Sequence, residues 1–239
     1  MLAISEVFYS IQGEGKTMGI PAVFVRLAGC NLMCGGMGTM FDKELHNGAT
    51  WRCDTMEVWT KGKSKKYHEI LDDECEEAIR QGAHLIITGG EPMMQQEKLL
   101  EFFDYVYKIN PDVFIECETN GTISPTEKMA VHIDLFNCSP KLKNSGNDVS
   151  MTFKKEVVQF LNKENTIFKF VISNLDDWNE IKEYYLEHID RDKIYLMPSG
   201  ENQELLEESK LLTAELAKNN YVNFTTRLHI EIWNQKTGV

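Results

Sequence analysis

Residues 84–92 read HLIITGGEP, an apolar and β-branched run that gives way at once to two glycines, a carboxylate and a proline. The stretch 95–109 follows, with its apolar residues at helical spacing. A strand, a polar turn and an amphipathic helix in this order predict one βα unit of a parallel sheet.

The same succession recurs along the chain. Apolar runs occupy 22–28, 84–89, 113–117, 133–138, 167–173, 194–197 and 224–232, and helix-like segments occupy 69–81, 95–109, 151–163, 176–189 and 203–219. About six βα units and one further strand are too few for a closed eight-fold barrel. Polar and glycine-rich residues follow most runs, where barrel enzymes build their sites, although turns alone also favour such residues. The sequence therefore predicts an α/β fold, an incomplete (β/α) barrel of mostly parallel strands.

Length and composition bound the function. The chain has 239 residues, a formal net charge of -12 and a pI near 5.0, so we expect a single domain over 1–239 and no nucleic-acid partner. No apolar run reaches the ~20 residues of a membrane helix, and the N-terminus does not resemble a signal peptide. We therefore expect a cytoplasmic protein without a membrane partner, whose six cysteines bind metal or are buried.

Three cysteines follow the run 22–28. Cys30 and Cys34 lie close together, and Cys53 follows after eighteen intervening residues. Thiolates on a loop suit an iron–sulfur cluster, and three ligands on a [4Fe–4S] cluster leave one iron free to chelate the methionyl moiety of S-adenosylmethionine (SAM). Taken alone, the cysteines also allow a zinc site or three unrelated thiols. The GGEP segment at 89–92 favours the cluster, because its carbonyls and carboxylate suit the SAM ammonium group.

The remaining cysteines, Cys75, Cys117 and Cys138, lack ligand-like spacing. Cys75 lies in a helix-like segment and the other two lie in apolar runs. We interpret all three as small buried hydrophobic residues.

Further motifs lie along the chain: FYSIQGEG (8–15), GIPAVFVRLAGCNL (19–32), CDT (53–55), TGGEP (88–92), ETNG (118–121), SPK (139–141), His229, Trp233 and the final GV (238–239). With these motifs the chain resembles, over nearly its whole length, the 7-carboxy-7-deazaguanine synthase family of radical SAM enzymes. The resemblance implies a radical SAM lyase that contracts the ring of 6-carboxy-5,6,7,8-tetrahydropterin to 7-carboxy-7-deazaguanine and ammonia, in queuosine-type 7-deazapurine biosynthesis. It also implies Mg²⁺, an external electron donor and a homodimer.

The resemblance assigns site residues by group. The [4Fe–4S] ligands are Cys30, Cys34 and Cys53; the Mg²⁺ contact is Thr55; the SAM contacts are Asp54, Gly90, Glu91, Ser139, Lys141 and Ser173; the substrate contacts are Gln12, Gly13, Glu14, Arg26, Thr88, His229 and Val239. Carboxylate and amide groups suit the 2-amino-4-oxo edge of a pterin, and a guanidinium suits the substrate carboxylate. Glu14, Gln12 and Lys141 could instead be solvated loop residues, and His229 an ordinary packed histidine.

Two departures from the family pattern stand out. Residues 35–50 form an insertion in the cluster loop, and Arg52 precedes the third cysteine where an aromatic residue commonly packs on adenine. Two other functions are weighed against the synthase. One is a radical SAM activase that acts on a partner protein, and the other is a non-catalytic metal-binding interaction protein.

Overall fold

The computed structural model describes residues 1–236 and Gly238. A single mixed sheet forms its centre, in the order β3-β1-β2-β4-β5-β6-β7-β8-β9. The strands are β1 (Leu2–Ile11), β2 (Pro21–Leu27), β3 (Lys63–Lys65), β4 (His84–Gly89), β5 (Ile115–Thr119), β6 (Leu135–Cys138), β7 (Thr166–Ile172), β8 (Ile194–Pro198) and β9 (Asn223–Phe224). Seven of them, β2 and β4–β9, run parallel, and β1 pairs antiparallel with β2 and β3. The predicted open, mostly parallel α/β fold is confirmed.

Helices connect the parallel strands. They are α1 (Thr39–Asp42), α2 (Met56–Trp59), α3 (Asp73–Arg80), α4 (Gln96–Ile109), α5 (Glu127–Ala130), α6 (Val149–Thr152), α7 (Lys155–Lys163), α8 (Leu175–Tyr184), α9 (Gln203–Asn220) and α10 (Leu228–Trp233). Short 3₁₀ turns lie at Tyr67–Glu69, Pro92–Gln95, Lys143–Ser145 and Arg191–Lys193. Within the described part of the chain, none of the helices combines the length and apolarity needed to cross a bilayer.

The two faces of the sheet differ in character, because successive side chains of a strand point to opposite faces. On β5, Ile115 and Cys117 belong to the main apolar core, which the helices cover. Glu116 and Glu118 alternate with them on the inner face. Cys75 and Cys138 also lie in the core, so the three non-ligand cysteines are buried as predicted.

The N-terminal hairpin carries a long loop over residues 12–20. Gln12 and Ile20 close it, with the Gln12 amide donating to the Ile20 carbonyl at 2.8 Å. Gly15 packs against the inner face of the sheet, where an added Cβ would lie 2.8 Å from both Asn137 Nδ2 and Ile167 Cδ1. The loop therefore contacts the interior of the partial barrel rather than projecting from its edge.

The predicted strand at 224–232 is wrong. Only Asn223 and Phe224 pair with β8, and Leu228–Trp233 form α10. Leu228, Ile230 and Ile232 alternate with polar residues, which is typical of a strand. In the helix only Ile230 is buried. A short apolar run does not by itself distinguish a strand from a helix, and this is why the prediction failed. His229 is therefore a helical residue.

Candidate active site

One cavity of about 1160 Å³ occupies the interior of the partial barrel and the ends of its parallel strands. Most of the site residues expected from the sequence line it: Gln12, Gly13, Glu14, Arg26, Cys30, Cys34, Cys53, Asp54, Thr55, Thr88, Gly90, Ser139, Lys141, Ser173 and His229. Glu91 does not line the cavity, and Val239 lies outside the described residues. Segments far apart in the sequence thus meet at one site.

The three candidate cluster ligands reach this cavity together. The Cys53 amide donates to the Cys34 carbonyl at 3.1 Å, which fixes the two ends of the cysteine loop against each other. Amide side chains approach two of the sulfurs, with Asn147 Nδ2 3.7 Å from Cys34 Sγ and Asn120 Nδ2 4.0 Å from Cys30 Sγ. Burial raises the pKa of Cys34 to about 12 and also raises the pKa of Cys30, so binding iron must displace thiol protons.

The glycine turn after β4 packs directly on this loop. A Cβ added to Gly90 would lie 1.8 Å from the Gly29 carbonyl oxygen, so only glycine allows the approach. The Glu91 amide donates to the same carbonyl at 2.9 Å. The three thiols line one cavity, and amide donors lie beside two of the sulfurs. Within residues 1–236 and 238 no three metal-ligating side chains are already gathered at coordination distance. The thiols therefore suit a cluster with three protein ligands chemically, and they must draw together on binding it.

Glu91, expected from the sequence to contact SAM, also has a structural task. The side chain is fully buried and accepts hydrogen bonds from the Met93 amide, the Thr119 hydroxyl and the Asn120 amide at 2.7–2.9 Å. Burial raises the pKa of this carboxyl despite these donors. Glu91 joins the turn after β4 to the end of β5, and so holds the backbone of Gly90 in place.

The insertion at 35–50 folds onto the turn at Lys143–Ser145. The Gly35 amide donates to the Ser145 carbonyl, and the Thr50 amide donates to the Asn144 carbonyl, both at 2.8 Å. The His46 amide donates a hydrogen bond to the Gly35 carbonyl at 2.8 Å. Both ends of the insertion are therefore anchored beside the cysteine loop.

Arg52 and Trp51 have distinct surroundings. Arg52 pairs with Glu57 and donates to the Thr39 hydroxyl, so its guanidinium is held away from a stacking role. Trp51 lines the cavity, its indole N–H donates to Asn144 Oδ1 at 3.0 Å, and Lys141 Nζ lies 5.8 Å from its ring centroid. The aromatic surface in this region is therefore that of Trp51.

The expected SAM contacts Ser139, Lys141 and Ser173 lie on the same wall as Trp51. Lys141 Nζ donates to Ser139 Oγ at 2.8 Å, and the Thr50 hydroxyl donates to Ser173 Oγ at 2.8 Å. Thr55 lies 3.5 Å from Cys53 Sγ through its hydroxyl. This wall presents hydroxyls, one ammonium group and an indole next to the thiols.

A polar row crosses the inner face of the sheet deeper in the cavity. Arg26 and Thr88 are register partners, and Glu118 and Asn137 are register partners on the next two strands. The Thr88 hydroxyl donates to Glu118 Oε2 at 2.6 Å, which links the two pairs. Arg26 donates through Nε to Glu6 at 2.6 Å. No hydrogen bond of its two terminal nitrogens occurs in the part of the chain that the structure describes, so both can meet an anion.

A chain of ion pairs, buried except at Asp54, borders this row, and the sequence predicts neither its pairings nor the parts of Lys169 and Arg227 in it. Asp54 pairs with Arg227, Arg227 pairs with Glu14 at 2.9 Å, and Glu14 pairs with Lys169. Burial raises the pKa of Glu14, but the cations of Lys169 and Arg227 outweigh it and hold the pKa well below its usual range. Lys169 interrupts the apolar run 167–173, and this position could have indicated a buried ion pair, since a buried charge needs a partner.

His229 lies between this chain and the 12–20 loop. A Cβ added to Gly13 would lie 2.2 Å from His229 Nδ1, so only glycine fits against the imidazole ring. Burial lowers the pKa of His229, and the nearby Arg227 lowers it further while Glu14 opposes the shift. The ring is therefore neutral near pH 7 and lines the cavity as a hydrogen-bonding group.

Comparisons with known proteins establish the family of the chain. A family model for a 4Fe-4S single cluster domain matches residues 11–133, slightly more than half of the chain. A 7-carboxy-7-deazaguanine synthase from Pyrobaculum aerophilum is 32% identical, with 98% of this chain and 96% of the relative covered. The chain belongs to the 7-carboxy-7-deazaguanine synthase family. A family member from Halobacterium salinarum is 29% identical, with 98% of this chain and 91% of the relative covered.

A solved structure supports the fold independently. The crystal structure of QueE from Escherichia coli superposes with a TM-score of 0.61 at 23% identity, covering 95% of this chain and 94% of that chain. Membership of this enzyme family and the cluster-domain match support a 4Fe–4S cluster on this chain.

Proposed function

We propose that the chain is a 7-carboxy-7-deazaguanine synthase, which converts 6-carboxy-5,6,7,8-tetrahydropterin to 7-carboxy-7-deazaguanine and ammonia. One observation carries the proposal. The three thiols of the cysteine loop and the polar row that contains Arg26 line one and the same cavity. A cluster site and a site for a polar, anionic heterocycle therefore adjoin in a single chamber.

The wall beside the thiols is the proposed site for SAM. Cys30, Cys34 and Cys53 hold the cluster, and the backbone of Gly90 together with Asp54 and Glu91 serves the methionyl end, Glu91 acting through the backbone that it fixes. Ser139, Lys141 and Ser173 serve the nucleoside, with the Trp51 indole against the adenine. Thr55 offers its hydroxyl to Mg²⁺, a hard cation that prefers oxygen ligands. When bound, the cluster and SAM would supply the radical chemistry that removes hydrogen from C6 of the substrate.

The residues of the polar row bind and orient the substrate. The terminal nitrogens of Arg26 suit a bidentate contact with the 6-carboxylate. Gln12, Gly13, Glu14, Thr88 and His229 surround the ring, and Val239 at the chain end is proposed as a further contact. The ion pairs of Glu14 with Lys169 and Arg227 fix the position of the loop that carries it, so the pocket is formed before the substrate arrives.

Several properties of the whole protein belong to the same proposal. The chain acts as a single domain over 1–239, with its insertion at 35–50 closing one side of the cluster loop. It works in the cytoplasm as a homodimer and receives electrons from an external donor. The insertion supports the cysteine loop through its hydrogen bonds to Ser145 and Asn144.

The test is anaerobic reconstitution of the cluster, reduction, and incubation with SAM, Mg²⁺ and the tetrahydropterin substrate, with products identified by mass spectrometry. We expect 7-carboxy-7-deazaguanine from the native protein and none from Cys53→Ala. Cys75→Ala is the matched control, because Cys75 lies in the core and should leave the product unchanged. Cleavage of SAM without the deazaguanine product would overturn the substrate assignment, and cleavage only with a partner protein would favour an activase.

A further inference from the structure

Asn147 is not among the site residues expected from the sequence, yet its side chain lies against the thiol of Cys34. Its nitrogen Nδ2 is 3.7 Å from Cys34 Sγ, and both residues are buried. Nδ2 also donates to Ser145 Oγ at 3.0 Å. The Ser145 carbonyl lies farther away, at 3.5 Å, and already accepts from the Gly35 amide. Of the two hydrogens on Nδ2, one is therefore available to the sulfur.

The backbone decides which end of this side-chain amide faces the thiol. The Met33 amide donates to Asn147 Oδ1 at 3.1 Å. A backbone N–H can only donate, so the oxygen must face Met33 and the nitrogen must face Cys34. The opposite orientation would set two donors against each other and turn an oxygen toward the thiolate.

Cys34 is anchored on both sides along the chain. Met33, just before it, is bonded to Asn147, and the amide of Gly35, just after it, donates to the Ser145 carbonyl at 2.8 Å. Both partners belong to one short segment, residues 143–147. Cys34 is thus the thiol whose backbone is bonded on each side to that segment.

The segment 143–147 is itself fixed to the sheet and its helices. The Lys143 amide donates to the Glu180 carboxylate of α8 at 3.0 and 3.2 Å. Asn144 Nδ2 donates to the Val171 carbonyl of β7 at 2.9 Å. The fold therefore sets the position of the Asn147 amide before a cluster is present.

The other two thiols are less enclosed. Cys30 and Cys53 are partly exposed, whereas Cys34 is buried. Because the three thiols must draw together on the cluster, we expect Cys30 and Cys53 to move toward Cys34. The contact between Asn147 and Cys34 then persists when the cluster is bound.

Asn120 has a similar relation to Cys30. Its Nδ2 lies 4.0 Å from Cys30 Sγ and donates to Asn31 Oδ1 at 2.9 Å. Its Oδ1 accepts from the Thr122 amide at 3.0 Å, which again turns the nitrogen toward the sulfur. The longer distance makes it the weaker of the two donors.

We propose that Asn147, with Asn120 as a weaker second donor, sets the reduction potential of the iron–sulfur cluster through N–H···S hydrogen bonds to its cysteine ligands. Reduction adds a negative charge, and donors to the ligand sulfurs stabilise the more negative state and so raise the potential. Asn147 acts through Cys34 and is a positioning residue. The inference rests on the cluster of the proposed function, but not on its substrate.

The test is a redox titration of the reconstituted protein without SAM, followed by the electron paramagnetic resonance of the reduced cluster. Asn147→Ala should lower the potential, with about a tenfold change in the equilibrium constant of one-electron reduction, or about 59 mV. Asn147→Asp keeps an acceptor for the Met33 amide but sets a carboxylate oxygen against the sulfur. It should lower the potential at least as far, and it serves if Asn147→Ala does not assemble a cluster.

Asn144→Ala is the matched control. Asn144 is buried in the same segment, but its side chain bonds to Val171 and Trp51 instead of a sulfur. The variant should loosen the segment and keep the native potential. A measurement on the native protein needs no variant: its iron–sulfur stretching frequencies in resonance Raman spectra should shift when it is prepared in deuterium oxide, and identical spectra would contradict the hydrogen bonds.

The outcomes separate this inference from the proposed function. Unchanged potentials in the Asn147 variants, or an equal shift in Asn144→Ala, overturn the inference while 7-carboxy-7-deazaguanine formation by the native protein still stands. A lowered potential in the Asn147 variants alone, with no deazaguanine product from the native protein, supports the inference and overturns the substrate assignment. A native protein that takes up no iron overturns both.

Discussion

Glu116 lies at the base of the polar row, where burial and the neighbouring Glu118 carboxylate raise its pKa to about 7. In the unfolded chain a glutamate ionises near pH 4.5. Between these two values the folded protein keeps a proton that the unfolded chain releases, so stability falls as pH rises through this window. The shift corresponds to a cost on the order of 3 kcal/mol above pH 7.

We therefore expect Glu116→Gln to be stabilised relative to the native protein as the pH rises from 4.5 to 8. Urea unfolding at several pH values, followed by circular dichroism, measures the difference in the free energy of unfolding. Glu187→Gln, at an exposed position, is the control, and its free energy of unfolding should depend on pH as that of the native protein does. Parallel pH profiles for the Glu116 variant and the native protein would show that this carboxyl is not perturbed.

Trp51 gives a second expectation at the scale of one residue. Its indole lines the cavity and is fixed by Asn144. If the ring packs on adenine, Trp51→Ala should weaken SAM binding on the order of 10-fold, because stacking on a base contributes about 1–3 kcal/mol. Equilibrium dialysis with the reconstituted protein measures this, and iron content should stay at the native level.

Trp51→Phe separates stacking from a general disturbance of the loop. It keeps an aromatic face but loses the hydrogen bond to Asn144. We expect it to recover most of the SAM affinity. Equal losses in the alanine and phenylalanine variants would point to the hydrogen bond rather than the ring.

At the scale of elements, Arg227 connects three segments of the chain. It lies just before α10, pairs with Glu14 of the 12–20 loop and with Asp54 of the cysteine loop, and donates to the Gly200 carbonyl at 2.7 Å. Removing one partner of a buried ion pair leaves the other charge uncompensated. Arg227→Met should therefore lower the free energy of unfolding by about 3–5 kcal/mol.

The control for this variant is Arg80→Met. Arg80 also forms an ion pair, with Glu77, but both side chains are exposed. Exposed pairs contribute about 0–1 kcal/mol, so this change should be small. Chemical denaturation of both variants measures the change in the free energy of unfolding. Equal decreases in the two variants would mean that solvent screens the ion pairs of Arg227 as much as it screens the exposed pair of Arg80.

Local sequence patterns predict some of the helices and strands and miss others. The strand at 84–89 and the helix at 203–219 were located within a residue of their observed bounds, because both are long or uniformly apolar. β1 was missed because Ser5, Glu6 and Ser10 interrupt its apolar run. The short edge strand β3 has the sequence Lys-Ser-Lys, whose charges protect an edge but give no strand signal.

At the scale of the whole molecule, one apolar core runs from Leu2 of β1 to Ala217 of α9. Because its residues come from seven of the nine strands and six of the ten helices described, we expect one cooperative unfolding transition. Tryptophan fluorescence and far-ultraviolet circular dichroism should give coincident urea curves. Two separated transitions would contradict a single domain over 1–239.

The site was predictable where family motifs mark it and unpredictable where partners are distant in sequence. The motifs at 30–34, 53–55 and 88–92 are recognisable in the sequence, and each of them contributes residues to one cavity, although Glu91 and Pro92 do not line it. The pairing of Glu14 with Arg227 joins residues 213 positions apart, which no local pattern can indicate. The motif that contains Glu91 likewise does not reveal that the Thr119 hydroxyl and the Asn120 amide, almost thirty positions away, donate to its carboxylate.

The support of the cysteine loop by the turn at Lys143–Ser145 has a consequence for biosynthesis. Asn147, which contacts Cys34, is separated from it by 113 positions. At translation rates of about 5–20 residues per second, the ribosome needs roughly 6 to 23 s to cover that distance. Throughout this interval the emerging thiols lack their scaffold and are open to oxidation or to the wrong metal. Iron–sulfur delivery is therefore productive only after the middle of the chain has left the exit tunnel, and the order of synthesis sets the order of maturation.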